Sequence, residues 1–174
     1  VDDGGGGTNR RCDMSRVKTY VGAASVMNDL TDVNMDGTDN IDGLIIQTNT
    51  NGSAPSTGTL GDAYGNIGIG KDVYTALTGA DYTVAIGYEA LEVHTTGSYA
   101  IAIGGFALDA STTGADNIAI GGAALSTMDT ETNNIAIGKD TLKVANGAEQ
   151  NTVVGTDAAD VVTTGDSNSI IGYN

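Results

Sequence analysis

From Asn66 onward the chain repeats one short pattern: a bulky aliphatic residue, a small residue, another bulky aliphatic residue, then glycine. The closing glycines are Gly70, Gly87, Gly104, Gly121, Gly138, Gly155 and Gly172, and every step is 17 residues. Counting each glycine as zero, position −1 holds Ile69, Ile86, Ile103, Ile120, Ile137, Val154 and Ile171. Position −3 holds Ile67, Val84, Ile101, Ile118 and Ile135, then Thr152 and Ser169. Between them lie Gly68, Ala85, Ala102, Ala119 and Ala136, then Val153 and Ile170. Loops of an ordinary domain drift in length. A fixed period of this size marks a chain wound into stacked, near-identical coils. The alternation of large and small apolar residues reads as a strand covered on both faces.

A second apolar patch follows each glycine. Position +4 is Tyr74, Leu91, Leu108, Leu125, Leu142 and Ala159; position +6 is Ala76, Val93, Ala110, Thr127, Val144 and Val161. Turns such as Thr95-Thr96-Gly97 and Thr112-Thr113-Gly114 then close the coil, so each repeat is predicted to run strand, turn, strand, turn. Position −4 is Asn66, Asn117, Asn134, Asn151 and Asn168 in five of the seven repeats. In-register stacking would form an asparagine ladder whose amides bond to the coils above and below. At about 4.8 Å per coil the six intervals span roughly 29 Å.

Ahead of the repeats, residues 1–14 are Gly-rich and polar and read as a flexible or partner-ordered linker. Their Gly4–Gly7 run lacks the Lys-Ser/Thr ending of a phosphate loop. Residues 15–63 form an expected attachment region. Val17, Tyr20, Val21, Ala24 and Met27 predict a short amphipathic helix capped by Ser15. Leu30–Val33 and Gly43–Thr50 are strand-like runs around an Asp-rich turn, and residues 51–63 are a loop. Residues 64–174 are the repeats. The chain opens on Val1 and stops two residues past Gly172, and is expected to be a segment of a longer protein, cut within a repeat.

Composition limits what such coils can bury. Of 174 residues, 26 are Gly, one is Phe and none is Trp, so any core must be thin and aliphatic. The small residues at −2 suggest that another backbone packs closely there. The fold class expected is therefore all-β, a parallel β-solenoid or β-roll of 17-residue coils, as a homotrimer. The buried ladder would comprise Ile69, Ile86, Ile103, Ile120, Ile137, Val154 and Ile171 with Ala85, Ala102, Ala119 and Ala136.

The net charge of −15 argues against binding a phosphate backbone. It is unevenly spread: residues 1–18 carry 4 − 3 = +1, and the remainder carries 3 − 19 = −16. Arg10, Arg11, Arg16 and Lys18 are thus candidates for docking an acidic partner. Cys12 is the lone cysteine, which excludes an intrachain disulfide. No apolar run reaches membrane-spanning length, and no signal peptide is evident.

Candidate chemistry is sparse. Asp32, Asn34, Asp36 and Gly37 begin like a calcium loop, but Gly43 stands where the closing bidentate Glu belongs and Asp39 where an apolar residue is usual. A solvated acidic turn fits better. His94, the single histidine, is placed at a solvated turn. The acidic residues do not cluster as a glycosidase pair, and no enzyme is expected. Tyr88, Tyr99, Phe106 and Tyr173 could stack on sugars or pack at strand ends. Thr78, Thr95, Thr112 and Thr163 share position +8, which keeps open a monomeric solenoid binding ice or a glycan, although Asp129 and Asn146 interrupt that file.

Val84-Ala-Ile-Gly-Tyr-Glu-Ala-Leu91, followed by His94-Thr-Thr-Gly97, resembles the "Asn-Thr-Ala-Ile-Gly-Tyr-x-Ala-Leu … Asn-Thr-Thr-Gly" repeats of bacteriophage tail-fibre proteins. Asn117-Ile-Ala-Ile-Gly121 and Asn134-Ile-Ala-Ile-Gly138 are also similar to the head repeats of trimeric autotransporter adhesins, whose repeat is somewhat shorter. Lys18-Thr-Tyr-Val21 and Asn28-Asp-Leu-Thr-Asp-Val33 look like segments of phage fibre shafts. The resemblance implies a trimeric structural fibre of a virion tail or appendage. It would be joined to other virion proteins through its N-terminal region and would present a shaft or knob to a host receptor or glycan, with no cofactor. A bacterial surface adhesin head is the alternative.

Overall fold

The computed structural model describes residues 63–173 and, as backbone, three short strands ahead of them. Those are β1 (Val33–Asn34), β2 (Asn40–Ile41) and β3 (Leu44–Ile46). Then come β4 (Ala63–Tyr64), β5 (Ile67–Ile69), β6 (Val84–Ile86), β7 (Ile101–Ile103), β8 (Ile118–Ile120), β9 (Ile135–Ile137), β10 (Thr152–Val154) and β11 (Ser169–Ile171). The predicted helix, the four basic docking candidates, Cys12 and most of the Asp-rich turn lie outside the described residues.

The strands β3 and β5 to β11 stack as one parallel sheet in sequence order, with β1 antiparallel on the β3 edge. Register follows the repeat: Ala85 pairs with Ala102, Ala102 with Ala119, and Ala119 with Ala136. The chain is thus an all-β solenoid of 17-residue coils. β3 adds a rung that the period does not predict, because Ile46 pairs with Ile69 at a spacing of 69 − 46 = 23 residues. β2 and β4 form a separate parallel pair.

The second predicted strand of each coil is not a strand. After the glycine the chain runs through turns, with one isolated bridge, Val144 to Val161. Position +4 is left-handed instead: φ is 50° at Leu91, 52° at Leu108 and 53° at Leu125. The same holds at +2 (Glu89, Phe106, Ala123) and at −5 (Tyr82, Tyr99, Asp116). A non-glycine residue there costs about 1–2 kcal/mol. The return is a backbone whose donors swing alternately between neighbouring coils. Phe106 N donates back to Tyr88 O at 2.8 Å, while Leu108 N donates forward to Ala124 O at 3.1 Å. The strand does likewise, with Ile101 N bonding forward to Asn117 O and Gly104 N back to Ile86 O, both at 2.8 Å. A coil without a second strand therefore still satisfies its backbone.

Each coil encloses its own core. The small residues at −2 point inward: Ala85, Ala102, Ala119, Ala136 and Val153 are fully buried within the single chain. They meet Leu91, Leu108, Leu125 and Leu142 from +4 and Ala90, Ala107 and Ala124 from +3. This corrects the expectation that a second chain's backbone covers the alanines, since the chain's own turn segment does. Small residues suit that place because the coil is narrow.

The asparagine ladder forms as expected. Asn134 N donates to Asn117 Oδ1 at 2.9 Å, Asn151 N to Asn134 Oδ1 at 3.0 Å, and Asn168 N to Asn151 Oδ1 at 2.9 Å. The side-chain amides of Asn117, Asn134 and Asn151 also donate to carbonyls 14 residues on, those of Glu131, Ala148 and Gly165, while Asn168 Nδ2 donates to Asn151 Oδ1. Where the ladder lacks asparagine, Thr83 bonds to Asn66 Oδ1 through both its N–H and its hydroxyl.

Candidate functional site

Because successive side chains of a strand point to opposite faces, an inward −2 forces −1 and −3 outward. The isoleucines do face out. Ile67 is 41% exposed, Ile69 39%, Ile103 36% and Ile137 38%, and Ile86, Ile101, Ile118, Ile120 and Ile135 are part-exposed. The predicted ladder residues thus divide: the alanines lie inside the coil, and the isoleucines with Val154 and Ile171 line one outer face. Six coil spacings by about 10 Å of three-residue strand give a face on the order of 300 Å², the size of the largest apolar patch on a typical monomeric protein, which is often functional.

Aromatic residues frame the early coils of this face. Tyr82 and Tyr99, both at −5, stack at 5.6 Å between centroids with 18° between planes. Tyr88 meets Phe106 edge-on at 5.2 Å, and Lys71 Nζ lies 5.0 Å over the Tyr88 ring. Tyr82 was not singled out in the sequence, although its 17-residue offset from Tyr99 is visible there. In later coils position −5 is Asp116, Asn133, Gln150 and Ser167.

His94 is fully buried, contrary to its expected place at a solvated turn. Its file at +7 contains Leu77, Met128 and Ala145, all buried, and that apolar company was the overlooked signal. Nδ1 lies 3.3 Å from Ser111 O, and Nε2 is in short contact with Gly97 O. Burial pushes the imidazole below its ordinary value of 6.5, opposed by the Gly97 and Ser111 carbonyls. The unfolded chain therefore takes up the proton first on acidification. The stability His94 contributes is full above pH 6.5 and is lost as pH falls below it. Glu92 and Asp109 work in the opposite sense. Burial raises both, with Glu89 among the neighbouring carboxylates adding to the rise, so their ionised forms weaken the fold and acid relieves that cost. Substituting His94→Leu, the residue type found at the same position in Leu77, isolates the histidine. The stability of the natural protein relative to this variant, from urea midpoints, is expected to fall between about pH 7.5 and 5.5.

The threonine hydroxyls bond along their file, even at Thr78, which is exposed. Thr78 Oγ1 donates to Thr95 O at 3.1 Å, Thr95 Oγ1 to Thr112 O at 2.7 Å, and Thr112 Oγ1 to the Asp129 carboxylate. These hydroxyl hydrogens link coils and are not presented outward as a continuous array. A feature without sequence warning is Glu131, only 7% exposed, where neighbouring coils have Gly114 and Ala148. Its carboxylate accepts the N–H groups of Asp129 at 2.9 Å, Thr130 at 3.0 Å and Gly147 at 2.6 Å, tying two coils together. Among the described residues no three His, Cys, Asp or Glu side chains converge as a metal site requires. Family models, curated proteins and solved structures were compared with the chain, and none matches.

Proposed function

We propose that this chain is a stiff structural element of a homotrimeric virion fibre, the shaft or knob of a phage tail or related appendage used in host attachment. The observation that carries the reading is the outward isoleucine face. It is regular and apolar on a chain whose body carries a charge of −16, and an exposed apolar patch of this size is often a site of association. Three copies packed with these faces toward a common axis would remove the face from water and leave the acidic turns outside. The inter-coil hydrogen bonds make a stiff spacer, and three equivalent copies raise avidity for a host receptor or glycan. The likeness of Val84–Leu91 to tail-fibre repeats supports the virion assignment, and Arg10, Arg11, Arg16 and Lys18 are the proposed docking element for its attachment.

Substituting Ile103→Glu with Ile120→Glu tests the face. Carboxylates buried between copies without partners would cost several kcal/mol. The expected result is a single-chain mass with reduced stability, whereas Thr96→Glu, at an exposed turn position, leaves both unchanged. An unchanged mass and stability in the double variant would contradict the reading. Antibodies against the coils are expected to decorate virion appendages, and exclusive labelling of bacterial surfaces would favour an adhesin instead.

A further inference from the structure

The outward face repeats itself, which creates a difficulty for any assembly built on it. Position −1 is isoleucine in five successive coils, from Ile69 to Ile137. A copy displaced along the fibre by one coil, about 4.8 Å, would meet almost the same ladder and bury almost the same area. A unique register needs something on the face that does not repeat. Among the described residues the largest such feature is the aromatic frame.

On one rim it consists of Tyr82 and Tyr99, 56% and 57% exposed, preceded in the file by Gly65 and followed by Asp116. Gly65 is packed beneath the frame, since a β-carbon there would lie 2.7 Å from Cδ1 of Tyr82. On the other rim are Tyr88 and Phe106, each 43% exposed. The next coil offers only Gly122 and Ala123 at these positions. The Tyr82 and Tyr99 faces are turned to each other at about the coil spacing, so their edges point outward. An outward edge suits a neighbouring protein surface, and a stacked sugar ring would need an outward face instead.

We infer that the aromatic frame of Tyr82, Tyr99, Tyr88 and Phe106 fixes the axial register between copies of this chain. This rests on the trimeric reading. In register, each copy seats its frame against its neighbour's at one height. Slipped by a coil, the end of the frame meets Asp116 or Gly65 on one rim and small residues on the other, and loses its apolar partners.

The test replaces the frame with residues the same positions already hold in later coils: Tyr82→Asn and Tyr99→Asn (as Asn133), Tyr88→Thr (as Thr156) and Phe106→Asp (as Asp157). Each suits its backbone, φ being 62° at Asn133 and 56° at Asp157. Copies carrying Thr152→Cys and copies carrying Ser169→Cys, both in a Cys12→Ser background, are co-expressed and oxidised. Both sites occupy the exposed −3 position in adjacent coils. With the natural frame, same-position crosslinks are expected to exceed mixed 152–169 crosslinks by about tenfold or more. With the replaced frame the two kinds should come within about twofold at unchanged mass. Mixed crosslinks that stay rare without the frame would overturn the inference while leaving the trimer intact. Dissociation of the replaced protein would also overturn it, by showing that the frame binds rather than aligns. A single-chain mass with the natural frame would instead remove the trimeric reading beneath it.

Discussion

Gly104→Ala is expected to lower stability by about 3 kcal/mol or more, measured by urea or thermal denaturation, while Gly122→Ala changes it by less than about 1 kcal/mol. The two substitutions add the same methyl group 18 residues apart. Gly104 has φ of 135°, a conformation L side chains rarely adopt, and a β-carbon there would lie 2.5 Å from Gly121 O in the next coil. That oxygen is backbone and cannot rotate away, so the coils must part or the turn must rebuild. Gly87 and Gly138 stand in the same relation to Gly104 and Gly155. The repeated glycine thus sets the coil-to-coil spacing as well as the turn. At Gly122 the nearest atom to an added β-carbon is 3.9 Å away, and no unusual φ is needed. Equal tolerance at the two positions would mean that the close approach is not what the glycine serves.

The second large effect is expected from Asn134→Leu, which keeps the side-chain shape and removes its polarity. Asn134 Oδ1 accepts from Asn151 N at 3.0 Å and from Asn151 Nδ2 at 3.2 Å; its own Nδ2 donates to Ala148 O at 2.9 Å. Both asparagines are essentially inaccessible, so water cannot replace these bonds. An unpaired buried donor or acceptor costs about 1–3 kcal/mol, and the loss here should total about 2–5 kcal/mol. Asn168→Leu is the comparison. Asn168 is exposed, Asn151 Oδ1 keeps its bond from the Asn168 backbone N–H, and the expected loss is about 1 kcal/mol or less. Denaturant midpoints of the two variants decide between a ladder that holds the coils together and one that merely fits them. Equal losses would favour the second.

The period, the parallel order and the asparagine ladder were legible because each is a relation between residues a fixed distance apart. Ile-small-Ile-Gly at constant spacing leaves few ways to pair strands other than in register. What the sequence hid was direction. Alternation at −3, −2 and −1 says that large and small residues face opposite ways, but not which face is inside, and intuition places the bulky ones within. The inner space is already filled by Leu91, Leu108 and their equivalents from the turn segment, so the narrow side goes to alanine. Those leucines looked like a second strand because leucine is no usual signal for left-handed backbone. Their conformation is dictated by the hydrogen bonds to adjacent coils and not by local preference. The same error of direction put His94 on the surface. The β3 rung escaped notice because its 23-residue spacing falls outside the period. On the outer face, isoleucine was visible as a ladder, while the frame around it emerges only when Tyr82 and Tyr99 are seen to stack.

Sedimentation equilibrium of the unmodified protein tests the central claim most directly, since it reads the mass of the folded particle without assuming a shape. The chain weighs 17.5 kDa, so three copies joined through the isoleucine face predict 3 × 17.5 = 52.5 kDa, persisting on dilution. A cooperatively folded species of 17.5 kDa would contradict the account, because the isoleucine ladder would then face water in the working protein.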